Sequence, residues 1–214
     1  MVWTSGKLAQ QAIHYKSASL TVDIRNHGNA KQWNAALELL RGALRSRVEM
    51  CTIFYNAAIS ACGKGKQWQH ALSLLAEAWA ERLEPDIISY SAGMTACEKG
   101  RQWQRALALL AELREVQLQP DVIICSAAIS ACEKGGQWQQ SSSLLIEMRE
   151  AALEPNTICY NAAMSACEKG RQWQLSISLL RELWEANLEP DVSLIALQRA
   201  LARKADSGNR RCYY

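Results

Sequence analysis

The strongest constraint on the fold is a 35-residue period that runs through most of this 214-residue chain. Four independent series of residues keep that step without an insertion or deletion, which chance does not produce. The chain is therefore predicted to consist of stacked copies of one structural unit. The series are Trp33, Trp68, Trp103, Trp138 and Trp173; Pro85, Pro120, Pro155 and Pro190; Cys62, Cys97, Cys132 and Cys167; and Lys64, Lys99, Lys134 and Lys169.

Dividing the chain after each Pro-Asp or Pro-Asn pair gives four complete repeats, a degenerate first repeat and two flanking segments. The end units are expected to diverge because they close the stack with less exposed apolar surface. The predicted ranges are 1–16 for an N-terminal extension that is a targeting remnant or a cap, 17–51 for the degenerate repeat, 52–86, 87–121, 122–156 and 157–191 for the complete repeats, and 192–214 for a partial closing repeat and tail.

Each complete repeat is predicted to form two amphipathic helices, because each half carries an apolar stripe at helical spacing. In repeat 87–121 the stripes are Tyr90, Gly93, Met94 and Cys97, then Trp103, Ala106, Leu107, Leu110 and Leu113. Gly100 is expected to end the first helix as the residue after its C-terminus. Two short helices cannot bury both stripes alone, so the repeats must stack on one another. The predicted fold is all-α, a right-handed α-solenoid of stacked helix-turn-helix repeats.

A second face of the first helix repeats an exposed Ile, a small polar residue and a Lys at the helix end. In repeat 87–121 this face is formed by Ile88, Ser91, Thr95, Glu98 and Lys99. The small polar residue varies between repeats while its neighbours stay nearly constant. Such variation is what a readout position shows, although drift among copied units gives the same pattern. The varying residues are Asn56, Ser91, Ser126 and Asn161.

Composition excludes several classes of site and leaves the question of targeting open. The net charge of +3 is too small to identify a partner. The eight Cys include no C-x-x-C pair, and the three His share no repeat register, so neither a metal site nor a cofactor nor catalytic chemistry is predicted. No apolar run approaches the roughly 20 residues of a membrane span. Residues 1–22 lack acidic residues, as targeting segments do, but also lack Arg.

The segments 55–62, Tyr-Asn-Ala-Ala-Ile-Ser-Ala-Cys, and 153–156, Leu-Glu-Pro-Asn, resemble pentatricopeptide repeats of the P type. The period of 35, the Tyr-Asn opening, the central Gly and the Pro-Asp ending all match that family. The resemblance is strong over 52–191 and weaker over 17–51 and 192–206. It implies sequence-selective binding of single-stranded RNA, about one base per repeat. It also implies organellar RNA processing, stability or translation, with the chloroplast favoured over the mitochondrion, and neither a membrane nor a small-molecule substrate.

The resemblance also assigns roles to individual residues. The fifth and last residues of each repeat would read the base, and by the family's code the four pairs resemble readers of 5′-U-G-A-U-3′. In the degenerate repeat, Thr21 and Cys51 are poor readers, so no base is assigned there. The reading pairs are Asn56 with Asp86, Ser91 with Asp121, Ser126 with Asn156, and Asn161 with Asp191. Aliphatic wedges between bases would be Ile53, Ile88, Ile123 and Ile158, and phosphate contacts would be Lys64, Lys99, Lys134 and Lys169.

Purely structural interpretations of the same residues remain open. The Asp or Asn at each repeat end is also a strong helix N-cap, and a Lys in a last turn complements the helix dipole. We interpret the periodic Trp and Cys as core residues and the Glu residues at 77, 112, 147 and 182 as a solvated outer face. The alternative function is a protein-binding scaffold of the tetratricopeptide kind. Four bases would give weak binding, so a second RNA-binding protein or further repeats is expected to contribute.

Overall fold

The computed structural model describes residues 19–45 and 51–188, and within these ranges it contains ten helices and no strand. None of the helices in these ranges is long and apolar enough to cross a membrane. Helices with odd numbers form the first half of a repeat, and helices with even numbers form the second half. The helices are α1 (19–29), α2 (Trp33–Arg45), α3 (Thr52–Lys64), α4 (Trp68–Ala80), α5 (Ile87–Lys99), α6 (Trp103–Glu115), α7 (Val122–Lys134), α8 (Trp138–Glu150), α9 (Thr157–Lys169) and α10 (Trp173–Glu185).

The chain divides into two compact units. The first contains the described residues up to Gly100 together with Ala111–Gln119, and the second contains Arg101–Leu110 together with the described residues from Pro120 onward. In the first unit α3 contacts α2, α4 and α5, and α4 also contacts α5. In the second unit α7 contacts α8 and α9, and α9 contacts α8 and α10. The second helices α4 and α8 thus each lie against the first helix of their own repeat and that of the next.

The first helices are buried on more than one side, as this stacking requires. In α5 the predicted stripe of Tyr90, Gly93, Met94 and Cys97 is buried. Ser89 and Ala96 are buried as well, since α5 contacts both α3 and α4. Only a narrow strip of each first helix is therefore left accessible, which limits where a ligand could be bound.

The predicted stripe of the second helix is only partly correct. In α6 the buried residues are Ala106, Leu109, Leu110 and Leu113, while Leu107 is only half-buried. The same spacing of 3, 1 and 3 recurs in α4, where Ala71, Leu74, Leu75 and Ala78 are buried. Leu107 lies at the border of this stripe, so its helical spacing did not distinguish it from Leu109.

Gly100 ends the first helix as the sequence predicts, since α5 ends at Lys99. Gly100 is the C-cap of α5, but its φ of −80° is an ordinary right-handed helical value. The left-handed residue is the next one, Arg101, with φ of 57°. Gly100 is required for a different reason: a Cβ atom there would lie 2.5 Å from Cδ1 of Trp68, so the indole packs against bare backbone.

This contact between Trp and Gly recurs from repeat to repeat and explains the conspicuous Trp series. A Cβ atom built on the Gly would lie 2.2–2.5 Å from Cδ1 of the Trp in every such pair. The prediction that these Trp residues are core residues is only partly correct, because the indoles are half-buried and pack against a turn of the following repeat. Trp173 is 40% exposed, and the corresponding following turn lies outside the described residues. The pairs are Trp33 with Gly65, Trp68 with Gly100, Trp103 with Gly135, and Trp138 with Gly170.

The periodic Cys residues are core residues, as the sequence predicts. Cys62, Cys97, Cys132 and Cys167 are all fully buried and free of disulfides. Burial raises the pKa of Cys62, Cys132 and Cys167 to about 11, so these thiols stay protonated.

The predicted outer face of Glu residues is only partly correct. Glu112 accepts a hydrogen bond of 3.0 Å from the Tyr90 hydroxyl, which in turn accepts one of 3.1 Å from the Trp79 indole N–H. Glu182 forms an ion pair of 2.6 Å with Arg149. These carboxylates therefore link neighbouring helices as well as facing solvent.

Candidate functional site

The residues at the repeat ends are helix N-caps in the structure. Asp86, Asp121 and Asn156 have extended backbones, and each side chain accepts a hydrogen bond from the backbone N–H three residues later. Such a cap satisfies one of the unpaired N–H groups of the first helical turn. Asp191, the fourth predicted reader of this type, lies outside the described residues. Capping fixes the position of these side chains, and the side-chain polar atoms not used by the cap can form other hydrogen bonds.

The cap of α5 is also joined to the fifth residue of the preceding repeat. Asn56 Nδ2 donates a 3.2 Å hydrogen bond to Asp86 Oδ1, and the Ser89 backbone N–H donates to the same oxygen at 2.9 Å. Ser89 Oγ lies 2.6 Å from Asn56 Oδ1 and 2.9 Å from Asp86 Oδ1. The Asp86 backbone N–H donates to Ser89 Oγ at 3.2 Å, which completes a reciprocal capping box. The structure thus brings the first predicted reading pair together.

This network keeps Asp86 ionised. Burial works to raise the pKa of the Asp86 carboxyl, but the hydrogen bonds donated by Ser89 and Asn56 outweigh it and hold that pKa below its usual value. At neutral pH Asp86 is therefore a hydrogen-bond acceptor only. Within the described residues all of its side-chain hydrogen bonds use Oδ1, so Oδ2 is left without a protein donor.

The reading pair lines a pocket of about 360 Å³ in the first compact unit. Two exposed aliphatic side chains, Ile53 and Ile88, line it from successive repeats, and Lys64 lies among the lining residues. The rest of the pocket wall is formed by small or polar residues of α1 and α3. Those further residues are Arg25, Gly28, Asn29, Ala57, Ser60 and Ala61.

The second residue of every complete repeat is a solvent-exposed Ile. The exposed fractions of Ile53, Ile88, Ile123 and Ile158 are 58%, 60%, 63% and 60%. A branched aliphatic side chain left in water four times at the same register does not stabilise the stack, because burial is what makes such a residue favourable. A ligand from outside the chain that covers this face would account for the pattern.

The other three predicted pairs are only partly described. Ser91 and Asp121 belong to different compact units. Ser126 Oγ donates to the Ile123 carbonyl at 3.0 Å, and no hydrogen bond joins it to Asn156 in the part of the chain that the structure describes. Asn161 Oδ1 is buried and has no hydrogen-bond partner among the described residues. Its predicted companion, Asp191, lies outside those residues.

The four predicted phosphate-contacting Lys residues occupy the last position of their helices, but their surroundings differ. Lys64 Nζ donates to Asn29 Oδ1 at 2.5 Å. Lys169 Nζ forms a 2.5 Å ion pair with Glu133, which also accepts from Ser165 Oγ at 3.0 Å. Lys99 is exposed and has no ion pair within the described residues, since the residue that corresponds to Glu133 is Gly63. Lys134 is half-buried.

Sequence reasoning missed three residues of this site. Ser89 was missed because the third residue of a repeat lies in the core, as Ile124 and Cys159 do. Its polarity at a position that is otherwise apolar was the available signal. Arg25 and Asn29 were missed because the degenerate repeat was assigned no reading role, although both line the first pocket.

The described residues contain no group of three or more His, Cys, Asp or Glu side chains that could hold a metal ion. His27 Nδ1 instead contacts Gln32 at 2.8 Å, and the His70 ring packs edge-on against Trp33 at 5.1 Å. His14, the third His, lies outside the described residues.

The stacked two-helix repeats define an α-solenoid protein with a repeated polar and aliphatic face. A model of the pentatricopeptide repeat domain matches residues 108–169, and a model of the PPR repeat matches residues 53–81 and 158–188. Together these matches cover about half of the sequence. The chain belongs to the pentatricopeptide repeat family. No curated protein sequence matches it.

Solved structures with the same fold include the PPR domain of Arabidopsis thaliana protein-only RNase P 1, in complex with tRNA. The TM-score is 0.75 at 13% identity, over 87% of this chain and 98% of that one. The pentatricopeptide repeat protein PPR10, in complex with an 18-nt psaJ RNA element, gives 0.69 at 24% identity, over 80% of this chain and 25% of that one. PPR10 from maize gives 0.67 at 20% identity, over 87% and 27%. The predicted fold class, an all-α solenoid of helical repeats, is confirmed.

Proposed function

We propose that the chain binds single-stranded RNA through the exposed strips of its first helices, with about one base per repeat. The observation that carries the proposal is the pocket lined by Asn56, Asp86, Ile53 and Ile88. It combines two exposed aliphatic side chains from successive repeats with a pair of polar groups. A flipped-out base requires that combination, namely apolar contact on its faces and hydrogen bonds on its edge.

The polar groups of this pocket are complementary to uracil. Asn56 uses one Nδ2 hydrogen on Asp86 Oδ1, which leaves the second hydrogen to be donated to a base. Asp86 Oδ2 is an acceptor without a protein donor in the described residues. Uracil presents a carbonyl next to its N3–H, so the carbonyl would accept from Asn56 and the N3–H would donate to Asp86. Cytosine presents an amino group and a bare ring nitrogen instead, which reverses both roles.

The family and its structural neighbours support the same proposal. The PPR domain of protein-only RNase P 1 is solved in complex with tRNA, and PPR10 is solved in complex with an 18-nt RNA element. By the family's code the four pairs would read 5′-U-G-A-U-3′, and the usual setting would be organellar RNA processing, stability or translation. We also propose that the chain binds RNA and does not itself catalyse a reaction. No observation on the described residues favours a protein-binding scaffold.

The number of repeats limits the affinity. Stacking contributes about 1–3 kcal/mol per base, so four bases give roughly 4–12 kcal/mol against association costs of about 4–15 kcal/mol. We therefore expect weak binding by the isolated chain and a contribution from a second RNA-binding protein or from further repeats. Nanomolar affinity of the isolated monomer for a short oligonucleotide would contradict this part of the proposal.

The test is the substitution Asp86→Asn. Asn is a near-equal N-cap, so the fold is expected to be retained. The N3–H of uracil loses its anionic acceptor, so preference is expected to move away from U at the first position. Affinities for oligonucleotides that carry U-G-A-U and C-G-A-U in identical flanks measure the effect.

The matched control is Glu115→Gln, which makes the same change of charge on an exposed residue of α6. It is expected to leave the base preference unchanged. If Asp86→Asn binds RNA with the wild-type preference, Asp86 does not read a base. If the wild-type chain binds no RNA at any salt concentration, the RNA-binding proposal is wrong and the scaffold function gains support.

A further inference from the structure

Ser89 lies beside the first pocket and has no role in the proposed recognition of the base. It is the third residue of its repeat, it is 1% exposed, and it lies beside the reading pair rather than in the pocket lining. Its hydroxyl contacts both members of the pair, Asn56 and Asp86. A buried hydroxyl is unfavourable in a core unless it is hydrogen-bonded, so these two contacts are what makes Ser89 acceptable at this position.

The hydroxyl has a single hydrogen, and two acceptors compete for it. Asn56 Oδ1 is at 2.6 Å and Asp86 Oδ1 is at 2.9 Å. Asp86 Oδ1 already accepts from the Ser89 backbone N–H and from Asn56 Nδ2. The shorter distance and the occupied carboxylate oxygen assign the hydrogen to Asn56 Oδ1, while the hydroxyl oxygen accepts from the Asp86 backbone N–H.

This arrangement holds the Asn56 amide in one orientation. Its oxygen accepts from Ser89 and its nitrogen donates to Asp86. A flipped amide would lose the hydrogen bond to Asp86 and bring its oxygen against a carboxylate, although its nitrogen could still donate to Ser89 Oγ. In the held orientation the amide offers the pocket a hydrogen-bond donor. A flipped amide would offer an acceptor, which suits the amino group of cytosine, while Asp86 would still face the bare ring nitrogen of that base.

We propose that Ser89 is a positioning residue for base selection: its hydroxyl anchors Asn56 Oδ1, and together with Asp86 it holds the amide in the orientation that offers a hydrogen-bond donor to uracil. The inference rests on the proposed RNA-binding function. Ser89 does not touch the base. It acts from the next repeat through the amide that does.

The chain contains an internal comparison, because the Asn-Asp reading pair occurs twice. In the fourth repeat the fifth residue is Asn161, and the sequence position that corresponds to Ser89 is Leu194, which has no hydroxyl. The first pocket is therefore expected to discriminate uracil from cytosine more strongly than the fourth, although the two reading pairs are identical.

The experiment compares the full wild-type chain with Ser89→Ala and Ser89→Cys. Cys is the native residue at this register in the fourth repeat, Cys159, so the second variant keeps a side chain that the fold accepts. Binding is measured to oligonucleotides that carry U-G-A-U, C-G-A-U and U-G-A-C in identical flanks. Ser73→Ala on α4 is the control, since it removes a hydroxyl that donates to Glu77 on the same helix, away from the reading pair.

Both Ser89 variants are expected to lower the U-over-C preference at the first position by roughly three- to tenfold, the net effect of one hydrogen bond. The preference at the last position should stay at its wild-type value. Unchanged preference at the first position in both variants overturns the proposal, and so does an equal loss at both positions, which would indicate a general structural defect.

A readout without RNA separates the two proposals. The side-chain amide of Asn56 is expected to exchange its hydrogens faster in Ser89→Ala than in the wild type, as measured by NMR. If exchange is unchanged, Ser89 does not hold the amide, whatever the chain binds. If exchange is faster and the wild type binds no RNA, the RNA-binding proposal fails, and base selection by Ser89 fails with it.

Discussion

The Gly residue that follows each first helix is required for packing and not for its backbone conformation. Gly100 follows a helix, where Gly commonly adopts a left-handed conformation, yet its φ is −80° and the left-handed residue is Arg101. What Gly100 provides is the absence of a side chain beneath Trp68. The same relation in four consecutive repeats makes Trp and Gly one structural pair, which explains why both keep the 35-residue period.

The substitution Gly100→Ala tests this pair. The added Cβ would lie 2.5 Å from Cδ1 of Trp68, so the indole or the turn must move. Overpacking of this kind costs about 1–3 kcal/mol in the free energy of unfolding, which chemical denaturation measures. Gly42→Ala on α2 is the control, because nothing lies within 4 Å of a Cβ there. It should raise stability by roughly 0.5–1 kcal/mol, since Ala is the better helix former. Equal effects of both substitutions would contradict the role assigned to Trp68.

At the scale of helices, the sequence predicted the two helices of each repeat correctly but did not predict every buried residue on them. The period and the apolar spacing are sufficient for the two-helix repeat and for the core stripe of α5. Spacing did not separate Leu107 from Leu109, because both lie near one stripe and only the position of the neighbouring helices decides between them. Ser89 was missed for a related reason, since its role depends on a side chain of the preceding repeat.

The N-caps could be predicted because they are local: an Asp or Asn follows Pro and precedes an apolar stripe. Their further contacts could not, because they depend on how successive repeats stack. Asp86 is joined to Asn56, whereas no hydrogen bond joins Asn156 to Ser126 within the described residues. Two caps of the same register therefore differ in what they contribute beyond their own helix.

The cap of α5 predicts a dependence of stability on pH. The pKa of Asp86 in the folded chain is lower than in the unfolded chain, so ionised Asp86 stabilises the fold. That contribution is complete above the unfolded pKa of about 3.9 and is lost as the pH falls through the folded value. The difference in unfolding free energy between the wild type and Asp86→Asn should thus be largest near neutral pH and should shrink below about pH 4. Denaturation curves across this range measure it.

Asn156→Ala provides the comparison for the pH experiment. It removes a neutral cap of the same register, at a cost of about 1 kcal/mol. That cost should be the same at neutral and acidic pH, because the Asn156 side chain does not titrate. If the effect of Asp86→Asn is equally independent of pH, the lowered pKa of Asp86 is wrong.

For the whole molecule, the distribution of charge matters more than its sum. A net charge of +3 does not distinguish an RNA-binding protein from any other. The four Lys at the helix ends are not equivalent, since Lys169 is paired with Glu133 while Lys99 has Gly63 at the corresponding position. A phosphate near Lys169 must compete with a carboxylate, and one near Lys99 need not. The attraction for an RNA backbone should therefore be uneven along the chain.

This unevenness predicts different salt dependences for two equivalent substitutions. Lys99→Ala should weaken RNA binding and lower the slope of log affinity against log salt by about 0.7, the value for one lost phosphate contact on a single strand. Lys169→Ala should change both quantities less, because Glu133 already neutralises its ammonium group. Glu133→Gln should strengthen binding by freeing Lys169. Affinities measured between low and moderate salt decide the matter. Equal slopes for the two Lys variants would show that the ion pair does not restrain Lys169 in the complex, and that RNA displaces Glu133 without measurable cost.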